Sequence, residues 1–315
     1  MLDLRRLEVL HRFGVLGSIA AVAVDMGYSA SAISQQLSAL EREAGIALLE
    51  RTAQSANLTD AGRELASLAG SILDSVEAAQ SRMRARAGTI SGTVTLSCIP
   101  GLAVILAPHL AAVQREHPDL TIVAHEIDST EAEAAVLDGR SDLAVVDYWA
   151  TGTRLGASGL DVHELRREEV ALTVPDGHPL STRSTPMSET ALRQVVQTDI
   201  WLCAPPGQLS RAAIDERLAA IGAEPQRRWE FEGLHVLAAL VTADSGVALL
   251  PSGITDTQPG VVCLPLRPKM YRRILAVTRN TIRHDPAIET CLAAAQGMRT
   301  ILPCVWRSSS CEKAS

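Results

Sequence analysis

Residues 17–41, GSIAAVAVDMGYSASAISQQLSALE, decide how this chain is read. Ser18 suits a helix N-cap, and Ile19, Val22, Ala23 and Met26 recur at helical spacing until Gly27 ends the pattern. Tyr28 and Ser29 make a tight turn, and a second helix follows with Ile33, Leu37 and Leu40 at i, i+4 and i+7. Its other positions, Ser31, Ser34, Gln35, Gln36 and Ser38, give a polar, almost uncharged face that suits hydrogen bonding to base edges. Two helices of unequal surface joined by a turn predict a helix-turn-helix whose second helix reads a major groove. The residues alone leave open a plain all-helical core.

Working outward, Leu4, Leu7, Val9, Leu10 and Phe13 predict an amphipathic helix that packs under the pair. Downstream, Thr59 is a suitable N-cap and no proline occurs again before Pro100, so one long helix is expected. Its apolar residues Ala61, Leu65, Leu68, Ile72, Val76, Ala79 and Met83 are spaced 4, 3, 4, 4, 3, 4, close to a heptad seam. Such a helix either packs on its own domain or pairs with a second copy. An isolated seam between two domains has nothing else to bury it, which favours dimerisation through Leu65, Leu68, Ile72 and Val76. Gly88 and Gly92 in RMRARAGTISG then punctuate a hinge.

The segment from Leu4 to Leu65 resembles, nearly residue for residue, the N-terminal winged helix-turn-helix of LysR-type transcriptional regulators. The residues that carry the likeness are Gly17-Ser18, Ala21, Ala23, Ser29, Ala32-Ile33-Ser34, Leu40-Glu41, Gly45, Leu49-Glu50-Arg51 and Leu58-Thr59-Asp60-Ala61-Gly62. Two departures stand out: Ile19 where the family usually has Phe, and Ala30-Ser31 in place of a frequent polar-Pro pair. The resemblance implies that Ile46 to Glu50 and Asn57 to Thr59 flank a two-stranded wing around AQSA, with Arg51 at its base, in reach of a phosphate or the minor groove. DNA contacts are therefore expected from Ser18, Ser29, Ser31, Ser34, Gln35, Ser38 and Arg51.

Beyond the hinge, strands and helices alternate. Strands are expected over 93–99, 121–127, 143–146, 169–174, 200–203, 228–232, 247–250, 262–266 and 273–278, with helices between, one of them interrupted or started near Pro108, and such alternation predicts a parallel sheet. GTVTLS (92–97), REHPDLTI (115–122), LDGRSDLAVV (137–146), VPDGHPL (174–180) and LVTADSGVALLP (240–251) are similar to the family's effector domain, two α/β subdomains of periplasmic-binding-protein type. The likeness runs from about Leu4 to Leu302. The expected fold is thus α/β behind an all-α winged head: 1–60 head, 61–90 linker, 91–302 effector domain, and a flexible tail over 303–315. Subdomain I would hold about 91–162 and 264–302, and subdomain II about 163–263.

An effector cleft belongs where strand ends meet helix N-termini, a setting that favours an anion. Its candidates are Cys98, Pro100, Gly101, Ser129, Thr130 and Asp147 on one side, and Ala204, Pro205, Gly207 and Gly246 on the other. Each taken singly is an ordinary turn or cap residue. Asp147 at a strand end would favour a ligand with an amino or hydroxyl group, unless a cap or salt bridge occupies it. Cys98 has no neighbouring cation in sequence to lower its pKa and reads as a packed thiol.

The chain has 315 residues, a length for about two domains, and a formal net charge of −7. From Met1 to Asp60, five arginines face seven carboxylates, so the head carries −2 and lacks the basic surface usual for phosphate binding. Specificity must rest on geometry, helix N-termini and a few placed arginines, with oligomerisation strengthening a weak single contact. Six cysteines show no CxxC and eight histidines no HxH or HExxH, which argues against a metal site or disulfide framework. GxSxG, P-loop and GxGxxG motifs are absent too, and no cofactor or catalysis is expected. The N-terminus lacks a signal-type apolar run, and no stretch approaches the roughly 20 apolar residues that span a bilayer, so a cytoplasmic protein without membrane contact is expected. The resemblance implies a homodimer assembled further as a dimer of dimers, binding an interrupted dyad in double-stranded promoter DNA, with a small effector resetting the spacing of the heads. The rival reading is a small-molecule-binding or enzymatic α/β protein with an accessory helical head.

Overall fold

The computed structural model describes residues 1–51, 56–149, 156–256 and 258–298. The tail over 303–315 and most of the turn in the AQSA wing lie outside the described residues. The described residues form two compact units, one within 1–89 with 280–286, and one within 90–279 with 287–298.

The first unit holds α1 (Leu4–Leu16), α2 (Ile19–Met26), α3 (Ala30–Ala44), β1 (Leu49–Arg51), β2 (Ala56–Leu58) and α4 (Asp60–Ala87). Each helix starts on a polar side chain that accepts from a first-turn amide: Asp3, Ser18, Ser29 and Thr59. Gly27 and Gly45 close α2 and α3 at φ 69° and 70°, a left-handed setting that glycine adopts without strain. Leu7, Leu10 and Phe13 of α1 pack with Val22, Ile33, Leu37 and Leu40 in one core. Leu49 pairs with Leu58 and Arg51 with Ala56, so Arg51 sits at the outer end of the antiparallel wing, next to its turn, rather than at the base. The register decides this, because the chain leaves α3 at the Leu49 end.

The first turns of α4 belong to the same core: Ala66 and Ala69 are buried, and Leu65 packs against the cluster. Leu65 therefore serves the head's interior. Farther along, Leu68 is 53%, Ile72 38% and Met83 60% exposed, with Val76 half-buried, leaving an apolar stripe on the helix. The segment 280–286 is fastened to the C-terminal half of α4, where Arg84 Nε donates to the buried Asp285 carboxylate at 2.6 Å and Thr281 donates to Glu77.

The second unit is α/β. It contains β3 (Gly92–Cys98), α5 (Pro100–Glu116), β4 (Leu120–Glu126), α6 (Ala132–Leu137), β5 (Leu143–Trp149), β6 (Leu160–Pro175), α7 (Glu189–Thr198), β7 (Ile200–Cys203) and α8 (Leu209–Ala220). Then follow β8 (Arg227–Glu230), α9 (Leu234–Thr242), β9 (Ala248–Pro251), α10 (Ser252–Thr255), β10 (Val261–Arg279) and α11 (Pro286–Gly297). A six-stranded sheet runs β4-β3-β5-β10-β6-β9, and β7 pairs with β8 separately. The parallel expectation holds for β3 with β4 and β5, and for β7 with β8. It fails for β10, which returns antiparallel to both β5 and β6, so the main sheet is mixed.

Two strands are longer than their apolar runs suggest. β6 extends over 16 residues, and β10 joins the two expected runs into one 19-residue strand with a register shift between Pro265 and Met270. Together they pass between two cores. One gathers Ile127, Val136, Val146 and Val277; the other gathers Trp149, Val170, Leu172, Trp201 and Leu218. Helix α5 starts at Pro100 and accommodates Pro108 without interruption.

Candidate nucleic-acid surface and ligand cleft

On α3 the apolar residues face inward and Gln35 is exposed. Ser18 and Ser29 cap α2 and α3 by accepting from the amides of Ala21 and Ala32, and Ser31 Oγ lies 3.0 Å from Ser29 Oγ. Ser34 and Ser38 are half-buried. Gln36 is tied down, accepting from Arg6 Nε at 3.1 Å. Glu41 fixes α3 to the wing, since its Oε1 accepts from the amides of Leu48 and Leu49, both at 3.0 Å. Thr59 does the same from the other side by donating to Ala47 O while capping α4. The motif residues thus set the angle between reading helix and wing.

Part of the head's charge is spent on itself. Arg6 pairs with Glu43, Arg12 with Glu8 and Asp25, and Arg63 with Asp60. Exposed Arg5 and Arg42 have no carboxylate partner among the described residues, and sequence reading alone did not separate them from the paired arginines. The side chain of Arg51 lies outside the described residues.

In the second unit the expected cleft residues divide into two groups. Pro100 and Gly101 open α5, which has no side-chain cap; α8 after Gln208 and α9 after Gly233 also lack one. These helix ends meet across the cleft. A Cβ built on Gly101 would stand 4.0 Å from His235 in the first turn of α9, and Gln208 Nε2 donates to Asp128 at 3.3 Å. Thr130 closes the Asp128 turn through its amide and hydroxyl. Those bonds hold the Asp128 carboxyl below its usual range against the opposing effect of burial, the largest single influence. Uncapped amides at three converging helix ends give the cleft a positive local field.

The other group is structural. Asp147 lies within β5, not after it, and is 7% exposed. Its carboxylate accepts from Ser129 Oγ and Trp149 Nε1, both at 2.8 Å, and from Arg272 at 3.4 Å. Arg272, 2% exposed, also donates to Glu168 at 3.0 and 2.5 Å. Asp147 and Ser129 are therefore held in a buried network that ties β5, β10 and β6 together, which corrects the expectation of a ligand-facing acid. Gly246 is not at the lip: a Cβ there would come within 2.3 Å of Ile200 O, so the glycine permits β7 and the start of β9 to touch. Ala204 is buried and its carbonyl accepts from Arg211; Pro205 and Gly207 shape the turn into α8, with Gly207 at φ 98°. Cys98 is buried at the end of β3, and burial, with Glu126 nearby, pushes its thiol up.

Sequence reading missed His235, Gln208, Asp128 and Arg272. His235 is exposed, and its pKa is lowered first by partial burial and then by the positive charge of Arg272. Only the closing of the two halves brings it beside Gly101, so no local motif could reveal it.

A family model for the LysR family of bacterial regulatory helix-turn-helix proteins matches residues 4–63, and one for the LysR substrate binding domain matches 87–299. The chain is 27% identical over 265 residues to the nitrogen assimilation regulatory protein nac of Escherichia coli, covering 83% of this chain and 82% of that one. It is 32% identical over 230 residues to a probable hydrogen peroxide-inducible genes activator of Streptomyces viridosporus, covering 73% and 71%. In fold it is similar to full-length OxyR from Pseudomonas aeruginosa, with a TM-score of 0.68 at 18% identity over 94% of this chain and 98% of that one.

Proposed function

The chain belongs to the LysR family, a DNA-binding transcriptional regulator with a small-molecule effector domain, and on that premise we propose how its own residues divide the work. Helix α3 enters the major groove with Ser31, Ser34, Gln35 and Ser38 toward base edges, while the N-terminal ends of α2 and α3 at Ser18 and Ser29 approach phosphates. Arg51 at the end of the wing, with Arg5 and Arg42, supplies the charge contacts. Two heads act together through the stripe of Leu68, Ile72 and Val76 on α4, and the dimers associate into a tetramer on an interrupted dyad. The protein works in the cytoplasm and has no catalytic role; among the described residues no helix is long and apolar enough to cross a membrane.

The observation that carries this reading is the inside-out division of α3, which buries Ile33, Leu37 and Leu40 and presents Gln35. Binding of the promoter DNA upstream of its own gene, followed by mobility shift, tests it. A saturable shift that random DNA does not compete away is the expected result, and indiscriminate binding would refute it.

For the effector we propose an anion held between the N-terminal ends of α5, α8 and α9, with His235 and Gln208 as neutral hydrogen-bonding neighbours. The effector lobes are about 91–162 with 264–302, less the segment 280–286 that packs with α4, and about 163–263. The Streptomyces viridosporus relative is named for hydrogen peroxide induction, but the thiols of Cys98, Cys203 and Cys263 are all pushed up by burial. A protonated thiol is a poor nucleophile, so these three are unsuited to sensing an oxidant, and a bound metabolite fits the cleft better.

A further inference from the structure

The three strands that carry the buried Asp147–Arg272–Glu168 network have a second face. Successive side chains alternate across a pleat, and the register places Tyr148 opposite Arg273, Arg273 opposite Arg167, and Tyr271 opposite Glu169. These residues lie on the reverse of the network. Tyr148, Arg167, Tyr271 and Arg273, with α8, line a groove of about 700 Å³, within the size range of small-molecule sites.

The lining has a definite chemistry. Arg167, Arg217, Lys269 and Arg273 line it with Glu164 and Glu216, and just beyond the lining Lys269 donates to Glu169 at 2.8 Å and Arg217 to Glu189 at 3.2 Å. The Arg167 guanidinium stacks over the Tyr271 ring at 3.9 Å, and Arg273 over Tyr148 at 5.6 Å, so two of the chain's three tyrosines serve this groove. Stacking occupies the face of a guanidinium and leaves its edge N–H groups for a planar oxyanion. Arg167 is exposed and has no carboxylate partner among the described residues. Arg217 Nε is shielded from solvent and has no hydrogen-bond partner, although its other nitrogens reach Glu189 and Pro268 O. Arg273 is paired with Glu164, both 43% exposed, an ion pair weak enough for a ligand to exchange.

We propose that this groove is a second ligand site, separate from the effector cleft, which takes a small organic oxyanion through the edge of Arg167. Because the two sites use opposite faces of β5, β6 and β10, an anion in the groove is expected to change the affinity of the cleft, and the effect is reciprocal.

The test is arginine footprinting of the full chain with phenylglyoxal, read by mass spectrometry, in phosphate, in succinate and in chloride at equal ionic strength. Labelling of Arg167 should slow at least threefold in one or both oxyanions and not in chloride, with the exposed Arg115 as an unaffected control. Protection by phosphate alone would assign a phosphate ester, and by succinate alone a carboxylate. By titration calorimetry with the protective anion, Arg167→Gln should weaken binding at least tenfold. Equal protection by chloride, no protection at all, or unchanged binding in Arg167→Gln would overturn the site.

Discussion

Gly62 shows how much a single hydrogen can decide. A Cβ at this position would stand 2.1 Å from Leu48 O, in the first turn of α4 where the wing returns. In an open helix Gly→Ala gains about 1 kcal/mol, but forced overpacking against a backbone carbonyl costs about 1–3 kcal/mol. Gly62→Ala should therefore lower the thermal midpoint of the head, and a raised midpoint would show that the wing yields freely. Arg272 is the corresponding residue of the effector domain. Arg272→Met leaves Asp147 buried without its cation and Glu168 with Arg166 alone, and should destabilise that domain by about 3–5 kcal/mol in urea unfolding. His235 gives a pH signature: its folded pKa is lowered by burial and by Arg272, so the unfolded chain binds the proton more readily. Stability is lost as pH falls below the unfolded value of about 6.5 toward the folded one, and His235→Asn should remove that part of the slope. An unchanged acid limb in the variant would mean that His235 is not desolvated. Asp147 could not be understood from its neighbours in sequence, because its cation is 125 residues away.

At the level of elements, what is local was legible and what is paired at long range was not. Helices α1 to α4 follow from a capping side chain, a 3.6-residue apolar period and a closing glycine, all within a few residues of one another. The direction of β10 depends on partners more than 80 residues earlier, and its two apolar runs, separated by polar 267–269, read as two strands. The end position of Arg51 depends on a register that the AQSA turn leaves unspecified. Helix α3 yields a paired prediction. Gln35→Ala should weaken the specific site by about 1–3 kcal/mol and random DNA less, whereas Arg51→Ala should weaken both alike and reduce the salt slope by about 1. Anisotropy titrations across a salt series separate the two behaviours, and a Gln35 variant equally impaired on both DNAs would remove α3 from the reading role.

At the scale of the whole molecule, the charge of the head sets the problem that assembly must solve. The head carries a net charge of −2 and two of its five arginines are neutralised internally, so counterion release at one head gives little affinity, and a second tethered head makes the next contact effectively intramolecular. Helix α4 is the element suited to provide that tether. Its start is locked into the head by Leu65, Ala66 and Ala69, while Leu68 and Ile72 stay 53% and 38% exposed. Replacing both by Asp adds like charges facing each other across a dimer seam and spares the head's own core. The decisive measurement is sedimentation and operator binding on the same samples of the Leu68→Asp, Ile72→Asp variant. The account predicts a monomer with a folded effector domain that fails to bind the operator where the parent is saturated. A monomer that binds with parental affinity would contradict it.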